Sequence, residues 1–145
     1  MKIIKHLFVA ATFILAASTT AEAKNGNVPQ CVYMFGFAAS FNDTIVHFTE
    51  IQAVDSVWLS RGNKFLLSRD NYSYQLRQYL ADRQMPNRTC VVFYDRKLSR
   101  IQKKFLKMKK LYATGTKGKP SRNEVRSIAL GEFRFTPINM AVTEQ

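Results

Sequence analysis

The chain has 145 residues, of which 46% are hydrophobic and 22% are charged. That length and composition fit one ordinary globular domain, and they exclude a disordered chain, a collagen-like repeat and a disulfide-dense miniprotein. Lys and Arg number 22 against 10 Asp and Glu, so the formal net charge is +12. An excess of this size favours an anionic partner.

Residues 1–23 have the pattern of a secretory signal peptide. Two lysines make the start positive, an apolar run covers 7–17, and alanines occupy positions 21 and 23. The alternative is a membrane anchor, but a spanning helix needs about 20 apolar residues and this run is shorter. We therefore expect cleavage before Lys24 and a mature protein that is periplasmic or secreted.

After the signal peptide, a flexible polar tail is predicted over 24–30 and a single domain over 31–145. From Cys31 onward the odd positions are bulky and the even ones slim, and this period of two predicts a strand with both faces partly covered. Residues 42–43, an Asn-Asp pair, then separate it from a second extended run at 44–51. Because Asn and Asp tolerate positive φ, the pair predicts a tight hairpin.

The middle of the chain is ambiguous over 52–68. It fits either a helical turn capped by Asp55 or two extended segments that fold back at 61–63, and periodicity does not decide between them. Asp70 then predicts the start of a helix with one apolar side. The β-branched and aromatic run at 89–94 predicts a strand that is buried on both faces.

A second helix is predicted after Asp95, and its two sides differ in chemistry. The apolar side, within an arc of about 80°, consists of Leu98, Ile101, Phe105, Met108 and Tyr112. The opposite side is cationic, and we name it the basic face: it consists of Lys97, Arg100, Lys103, Lys104, Lys107 and Lys110. A last, alternating strand is predicted at 132–136.

The order of these elements predicts the fold class. Two strands come first, and after the ambiguous segment the chain continues with helix, strand, helix and strand. This order fits an α+β (or α/β) fold with a small mixed sheet, an N-terminal hairpin and two helices packed on the sheet. The two late steps from strand through helix to strand fit parallel crossovers.

The predicted mature chain offers few side chains for catalysis. His47 is its only histidine, so sites that need several imidazoles are excluded, and we expect neither a metal nor a cofactor. Cys31 and Cys90 either form one disulfide or stay reduced in the core. The alternative function is a small secreted hydrolase that uses a Cys/His pair or two carboxylates in a cleft at the strand ends near Asp95. The candidate acids are Asp43, Glu50, Asp55, Asp70, Asp82 and Asp95.

The strongest functional signal is the charge of residues 88–126. This region holds thirteen Lys and Arg but two acids, and no Asp or Glu lies between Arg96 and Arg122. Merely solvated helix faces normally interleave Glu with Lys. The uncompensated charge favours a non-catalytic module that binds anionic polysaccharide, lipopolysaccharide or an anionic membrane surface. Nucleic acid is disfavoured, because the aromatic residues that could stack on bases belong to the packing side of the helix.

Four short phrases of the sequence carry a family resemblance. They are residues 41–46 (FNDTIV), 48–49 (FT), 69–76 (RDNYSYQL) and 87–93 (NRTCVVF). With them the chain resembles uncharacterised small exported proteins of gut Bacteroidales over most of its predicted mature length. The resemblance implies a location in the Gram-negative envelope or outside the cell. It implies no activity and no site residues.

Overall fold

The computed structural model describes residues 29–140, apart from positions 61 and 63. The predicted signal peptide and most of the predicted tail lie outside this part of the chain, whose elements begin at Pro29, so that the last two tail residues belong to the sheet. In chain order the elements are β1 (Pro29–Ala39), β2 (Ile45–Thr49), β3 (Gln52–Trp58), α1 (Arg69–Ala81), β4 (Thr89–Asp95), α2 (Leu98–Thr114), β5 (Gly115–Thr116), β6 (Lys119–Pro120) and β7 (Glu124–Ile128).

The main sheet is built around β1, its longest strand. One edge of β1 pairs antiparallel with β4, and the other edge pairs antiparallel with β3 over its first half and with β2 near its end. β7 then adds to β2 in parallel. The predicted mixed sheet with an N-terminal hairpin is therefore confirmed.

Both helices connect strands that run in the same direction. β2, β3, β4 and β7 all run opposite to β1, so α1 and α2 lie in crossovers of the parallel type, as predicted. α1 crosses one face of the sheet and α2 crosses the other. The carboxyl ends of β3 and β4 consequently lie at the same end of the sheet, and the chain leaves them there toward opposite faces.

The alternation of side chains along β1 divides the core into two. Val32 and Met34 pack in the core under α1, whereas Phe35 and Phe37 pack in the core under α2. The core under α2 is an aromatic cluster, in which the ring centroid of Phe35 lies 5.0 Å from that of Phe105. The bulky positions of β1 thus pack against α2, and the slim positions pack against α1 on the opposite face of the sheet.

Gly36 allows α1 to approach the sheet closely. A Cβ atom at this position would lie 2.5 Å from Cδ2 of Leu76, which is fully buried in α1. The Gly36 N–H donates a hydrogen bond of 2.8 Å to the hydroxyl of Thr49 on β2. The slim side of β1 is therefore slim because a helix packs directly on the backbone.

The segment after β2 is extended over 52–59 and folds back to pair at Leu66, which decides between the two sequence-based alternatives. After β3, Leu59 forms an antiparallel bridge with Leu66, and backbone hydrogen bonds of 2.7 and 2.8 Å flank the bridge. Asp55 caps no helix. It precedes Ser56, whose φ is 59°, at the place where the pairing between β1 and β3 shifts register.

The last strand of the main sheet is β7, and the predicted strand at 132–136 is wrong. Phe133 and Phe135 are nevertheless buried on either side of an exposed Arg134. The side chain of Gln52 takes the place of a neighbouring strand: its Nε2 donates to the Phe133 carbonyl at 3.0 Å, and its Oε1 accepts from the Phe135 N–H at 2.9 Å. The alternation of apolar and polar residues at 132–136 therefore indicated correctly that one side of the segment is buried. An irregular segment can bury one side just as a strand does.

Both helix starts lie close to the predicted caps but differ from them in detail. α1 begins after Ser68, whose φ is 55°, so Asp70 lies in the first turn and not at the cap. Before α2, the Asp95 carboxylate accepts a hydrogen bond of 2.8 Å from the Lys97 N–H. Asp95 therefore lies two residues before Lys97, which is the N-cap residue of α2, and its hydrogen bond stabilises the turn between β4 and the helix.

Candidate anion-binding surface

α2 turns its basic face to solvent. Four of the predicted apolar residues, Ile101, Phe105, Met108 and Tyr112, pack into the aromatic cluster. At 100° per residue, these contacts place the five residues of the basic face that lie within α2 on its outer side. Lys97 precedes the helix in an extended conformation, and all six residues of the basic face are exposed. Leu98 is the exception among the predicted packing residues, because 39% of it is exposed in the first helical turn.

The charge of the basic face is uncompensated within the described part of the chain. The two ion pairs found there, within 4.0 Å, belong to Arg88 and Arg126 and lie elsewhere. The ammonium of Lys104 lies 4.8 Å from the ring centroid of Phe93, a contact that supplies no negative charge. The basic face therefore presents positive charge along about 20 Å of helix.

A cleft of about 460 Å³ opens where the chain leaves β3 and β4, and we name it the β4 cleft. Its cations come from the fold-back after β3, from the start of α1, and from the end of β4 with the first turns of α2. They are Lys64, Arg69, Arg96, Lys97, Arg100 and Lys104. Half of them belong to the basic face, so the cleft and the face form one continuous positive surface.

Hydrogen bonds to the backbone hold the walls of the β4 cleft. The Arg69 guanidinium donates to the Val92 carbonyl from Nη2 at 2.7 Å and from Nε at 3.2 Å. The Tyr94 hydroxyl accepts from the Leu66 N–H at 2.8 Å and donates to the Lys64 carbonyl at 2.9 Å. The start of α1 and the fold-back after β3 are thereby fixed against β4, which brings cations distant in sequence to one cavity.

The hydrolase alternative requires two carboxylates or a Cys/His pair in one cleft. Each of the four main clefts among the described residues is lined by a single carboxylate, respectively Asp95, Asp70, Glu132 and Asp82. Asp95, the acid at the strand ends, is engaged in the turn that starts α2. No pair of acids is therefore placed for glycosidase-like chemistry in these clefts.

His47 and Cys90 share a face of the sheet but lie two strands apart. Both are register partners of Ala38, on opposite edges of β1, so about 10 Å separates their Cα atoms. Burial raises the pKa of the Cys90 thiol to about 11, which disfavours the nucleophilic thiolate. Burial, and then the positive charge of Arg88, lower the pKa of His47. These two residues do not form a Cys/His catalytic pair.

The predicted disulfide is not formed, since Cys31 and Cys90 are both free. They do lie on neighbouring strands, but Cys90 pairs with Ala38, seven residues along β1 from Cys31. At about 3.4 Å per residue this offset is on the order of 24 Å, well beyond the roughly 7 Å that a disulfide spans between Cα atoms. The alternative of reduced, buried cysteines fits only Cys90, because Cys31 is exposed and a hydrogen bond with Asp55 raises its pKa.

Sequence reasoning missed the cleft and half of its cations. Arg96 lies in the predicted basic region but on neither side of the predicted helix, and Lys64 and Arg69 lie in or next to the ambiguous segment. Their approach to α2 depends on the fold-back after β3 and on the order of strands across the sheet. Neither leaves a local signal in the sequence, so only the fold shows that these charges converge.

Comparison with known protein families, with curated proteins and with solved structures finds no match. Among the helices of the described residues, none has the length and apolar character needed to cross a membrane. The same residues contain no cluster of three His, Cys, Asp or Glu side chains that could hold a metal ion. The charge and shape of the basic face and the β4 cleft are therefore the features of the molecule that point to a function.

Proposed function

We propose that this protein is an exported, non-catalytic module that binds anionic polysaccharide, including the polysaccharide part of lipopolysaccharide, through the basic face. The supporting observation is an exposed cationic helix surface without ion-paired acids. Such a surface attracts polyanions over long distances, and the counterions it releases from the polymer provide much of the affinity. The export part of the proposal is supported by the predicted signal peptide and by the family resemblance.

The packing of α2 favours a polymer over a membrane. A helix that lies in a bilayer interface inserts its apolar side among the lipids. The apolar side of α2 is already occupied, because Ile101 is fully buried and Phe105 and Tyr112 pack against the sheet. The same packing keeps these two rings from stacking on nucleic-acid bases. An extended anionic chain needs only the charges along the outer side of the helix.

Retention on a heparin column as a function of salt tests the proposal. The face variant K103E/K107E/K110E reverses three exposed charges that lie outside the β4 cleft. The parent protein should bind at low salt, and the face variant should elute much earlier. If each lost contact releases about 0.7 to 0.9 fewer counterions, the slope of log affinity against log salt should fall by about two to three.

A matched control separates the basic face from the net charge. The variant R77E/R83E/R134E changes the net charge by the same amount with three exposed arginines on the α1 side of the sheet. It should elute close to the parent, and both variants should melt near the parent temperature, because exposed substitutions cost under about 0.5 kcal/mol each. A parent that flows through at low salt, or two variants that elute together, would overturn the proposal.

A further inference from the structure

The β4 cleft differs in charge from the three other main clefts of the described chain. Each of the other three is lined by two arginines and one carboxylate, whereas the β4 cleft is lined by six cationic side chains and one carboxylate. The carboxylate, Asp95, accepts the Lys97 N–H and has no ion pair with a lining cation within 4.0 Å. The cleft thus concentrates positive charge that no described side chain neutralises.

Two of the cations in the β4 cleft, Arg69 and Lys64, are anchored before any ligand arrives. Arg69 is held by the Val92 carbonyl, and Lys64 lies in the segment that Tyr94 fixes. Like charges held close together repel one another, so the arrangement becomes more favourable when an anion occupies the cleft. Positioned donors also lower the ordering cost of binding.

The types of residue in the cleft match a particular anion. Three of the six cations are arginines, a residue type whose planar guanidinium matches the oxygens of phosphate, and the lysines add compact charge. Nε and Nη2 of Arg69 donate to the Val92 carbonyl, so Arg69 offers a ligand its Nη1 and its charge. Leu59 and Phe93 give the cleft an apolar part, and its volume of about 460 Å³ suits a small molecule. A phosphate attached to a small organic group contacts both the cations and the apolar part of the cleft, whereas a neutral sugar contacts only the apolar part.

We propose that the β4 cleft binds a phosphomonoester carried on a sugar. This inference extends the proposed function and rests on it for the identity of the polymer. A phosphorylated sugar of the polysaccharide occupies the cleft, and the adjoining part of the polysaccharide lies along the basic face. Lys97, Arg100 and Lys104 belong to both and connect the two. The cleft then selects phosphorylated sugars, while the basic face binds polyanions in general.

Calorimetric titration with glucose 6-phosphate at constant ionic strength tests the cleft. The cleft variant K64Q/R96Q changes two exposed lining residues that lie outside α2. Glucose 6-phosphate should bind the parent, glucose should not, and the cleft variant should bind at least about tenfold more weakly, the loss expected for one or two charge-assisted bonds. The face variant and a control, R77Q/R134Q, should bind glucose 6-phosphate within about threefold of the parent.

The outcomes separate this inference from the proposed function. Absence of glucose 6-phosphate binding, or equal binding by parent and cleft variant, overturns the inference even when the parent is retained on heparin. Inorganic phosphate that binds as tightly as glucose 6-phosphate overturns the sugar part. Conversely, a parent protein that binds glucose 6-phosphate but flows through heparin at low salt overturns the proposed function alone.

A last arm identifies the source of the phosphorylated sugar. A soluble phosphomannan whose phosphates are monoesters should displace glucose 6-phosphate from the parent, and the cleft variant should lose affinity for it. Vesicles that contain monophosphoryl lipid A present the same chemistry on a membrane. If the vesicles compete and phosphomannan does not, the polysaccharide assignment is wrong.

Discussion

The two helices cover opposite faces of one sheet, yet their outer sides differ. α1 carries two arginines and one aspartate, and the C-terminal segment is bonded to it: Gln75 exchanges two hydrogen bonds of 2.8 Å with the backbone of Thr136, and the Tyr72 hydroxyl accepts from the Ile138 N–H at 3.1 Å. α2 carries six cations and no acid, and its outer side is exposed. Positive charge is therefore concentrated on α2, which packs against the sheet on one side and is open to solvent on the other.

This difference argues against a purely solubilising role for the lysines. A solubilising surface would be expected on both helices, and in the common form of interleaved Glu and Lys. The exposed side of α1 is instead built from neutral polar residues and a few charges of both signs. The basic face is thus a local property of α2, which is why the matched charge reversals on the two sides should act differently.

The attachment of α2 to the sheet depends on the aromatic cluster around Phe35. Phe35 is fully buried under this helix, with its ring 5.2 Å from that of Phe93 and 5.0 Å from that of Phe105. Phe35→Ala should therefore lower the free energy of unfolding by about 3–5 kcal/mol in urea titrations. Because α1 is bonded on two sides and α2 mainly on one, hydrogen exchange in this variant should accelerate more in α2 than in α1.

The control for this variant is Phe65→Ala, since 70% of Phe65 is exposed. It should change the free energy of unfolding by less than about 0.5 kcal/mol. Equal acceleration of exchange in both helices of Phe35→Ala would show that they are held equally, and would remove the physical basis of the comparison.

The C-terminal segment that covers α1 is held in place by Gln52, and we call this segment the cover over α1. Gln52 is buried and bonds the backbone of both Phe133 and Phe135. Gln52→Met keeps the volume but leaves a buried carbonyl and a buried N–H without partners, so the free energy of unfolding should fall by about 2 kcal/mol. Gln102→Met, at an exposed position of α2, should change it little.

The same variant tests whether the two sides of the sheet are independent. Gln52 lies on the α1 side, so Gln52→Met should leave heparin retention unchanged at temperatures where the protein is folded. A variant that loses heparin retention while its circular dichroism stays native would show that the cover over α1 supports the basic face.

The sequence predicted most where one physical cause produced the pattern. Alternation along β1 and the 3.6-residue period of α2 both report which side is buried, and both elements were placed correctly. The same logic failed at 132–136, because burial of Phe133 and Phe135 depends on a side chain 81 residues away, that of Gln52. Period two identifies a buried side, and it does not identify the partner.

The candidate anion-binding surface likewise has one part that the sequence predicts and one part that it does not. The basic face follows from local spacing within one helix, so all six residues could be named from the sequence. The β4 cleft requires Lys64 and Arg69 to meet the start of α2, and that meeting depends on the Tyr94 hydroxyl and the Val92 carbonyl. The disulfide prediction failed for a related reason, since spacing in sequence carries no information on the register of β1 against β4.

The α1 side of the sheet contains a buried histidine that makes the stability of the protein depend weakly on pH. His47 is buried there, its Nδ1 has no hydrogen-bond partner among the described residues, and its pKa is lowered by burial and by the charges of Arg88 and Arg126, against the opposing charges of Asp43 and Glu124. In the unfolded chain the imidazole has its ordinary pKa of 6.5. The unfolded state therefore binds a proton at higher pH than the native state, and the native state loses stability as pH falls below about 6.5, until the lowered native pKa is reached.

His47→Leu should remove this loss and the unpartnered nitrogen together. Urea titrations at pH 8, 6.5 and 5 should show a free energy of unfolding that falls less between pH 6.5 and 5 in the variant than in the parent. Asp43 does not confuse the measurement: the Ile45 N–H, then Arg88, hold its pKa below the ordinary 3.8, so its contribution is lost only at lower pH. If parent and variant lose stability in parallel between pH 6.5 and 5, His47 is not the group that titrates. The acid sensitivity between pH 6.5 and 5 then belongs to another residue.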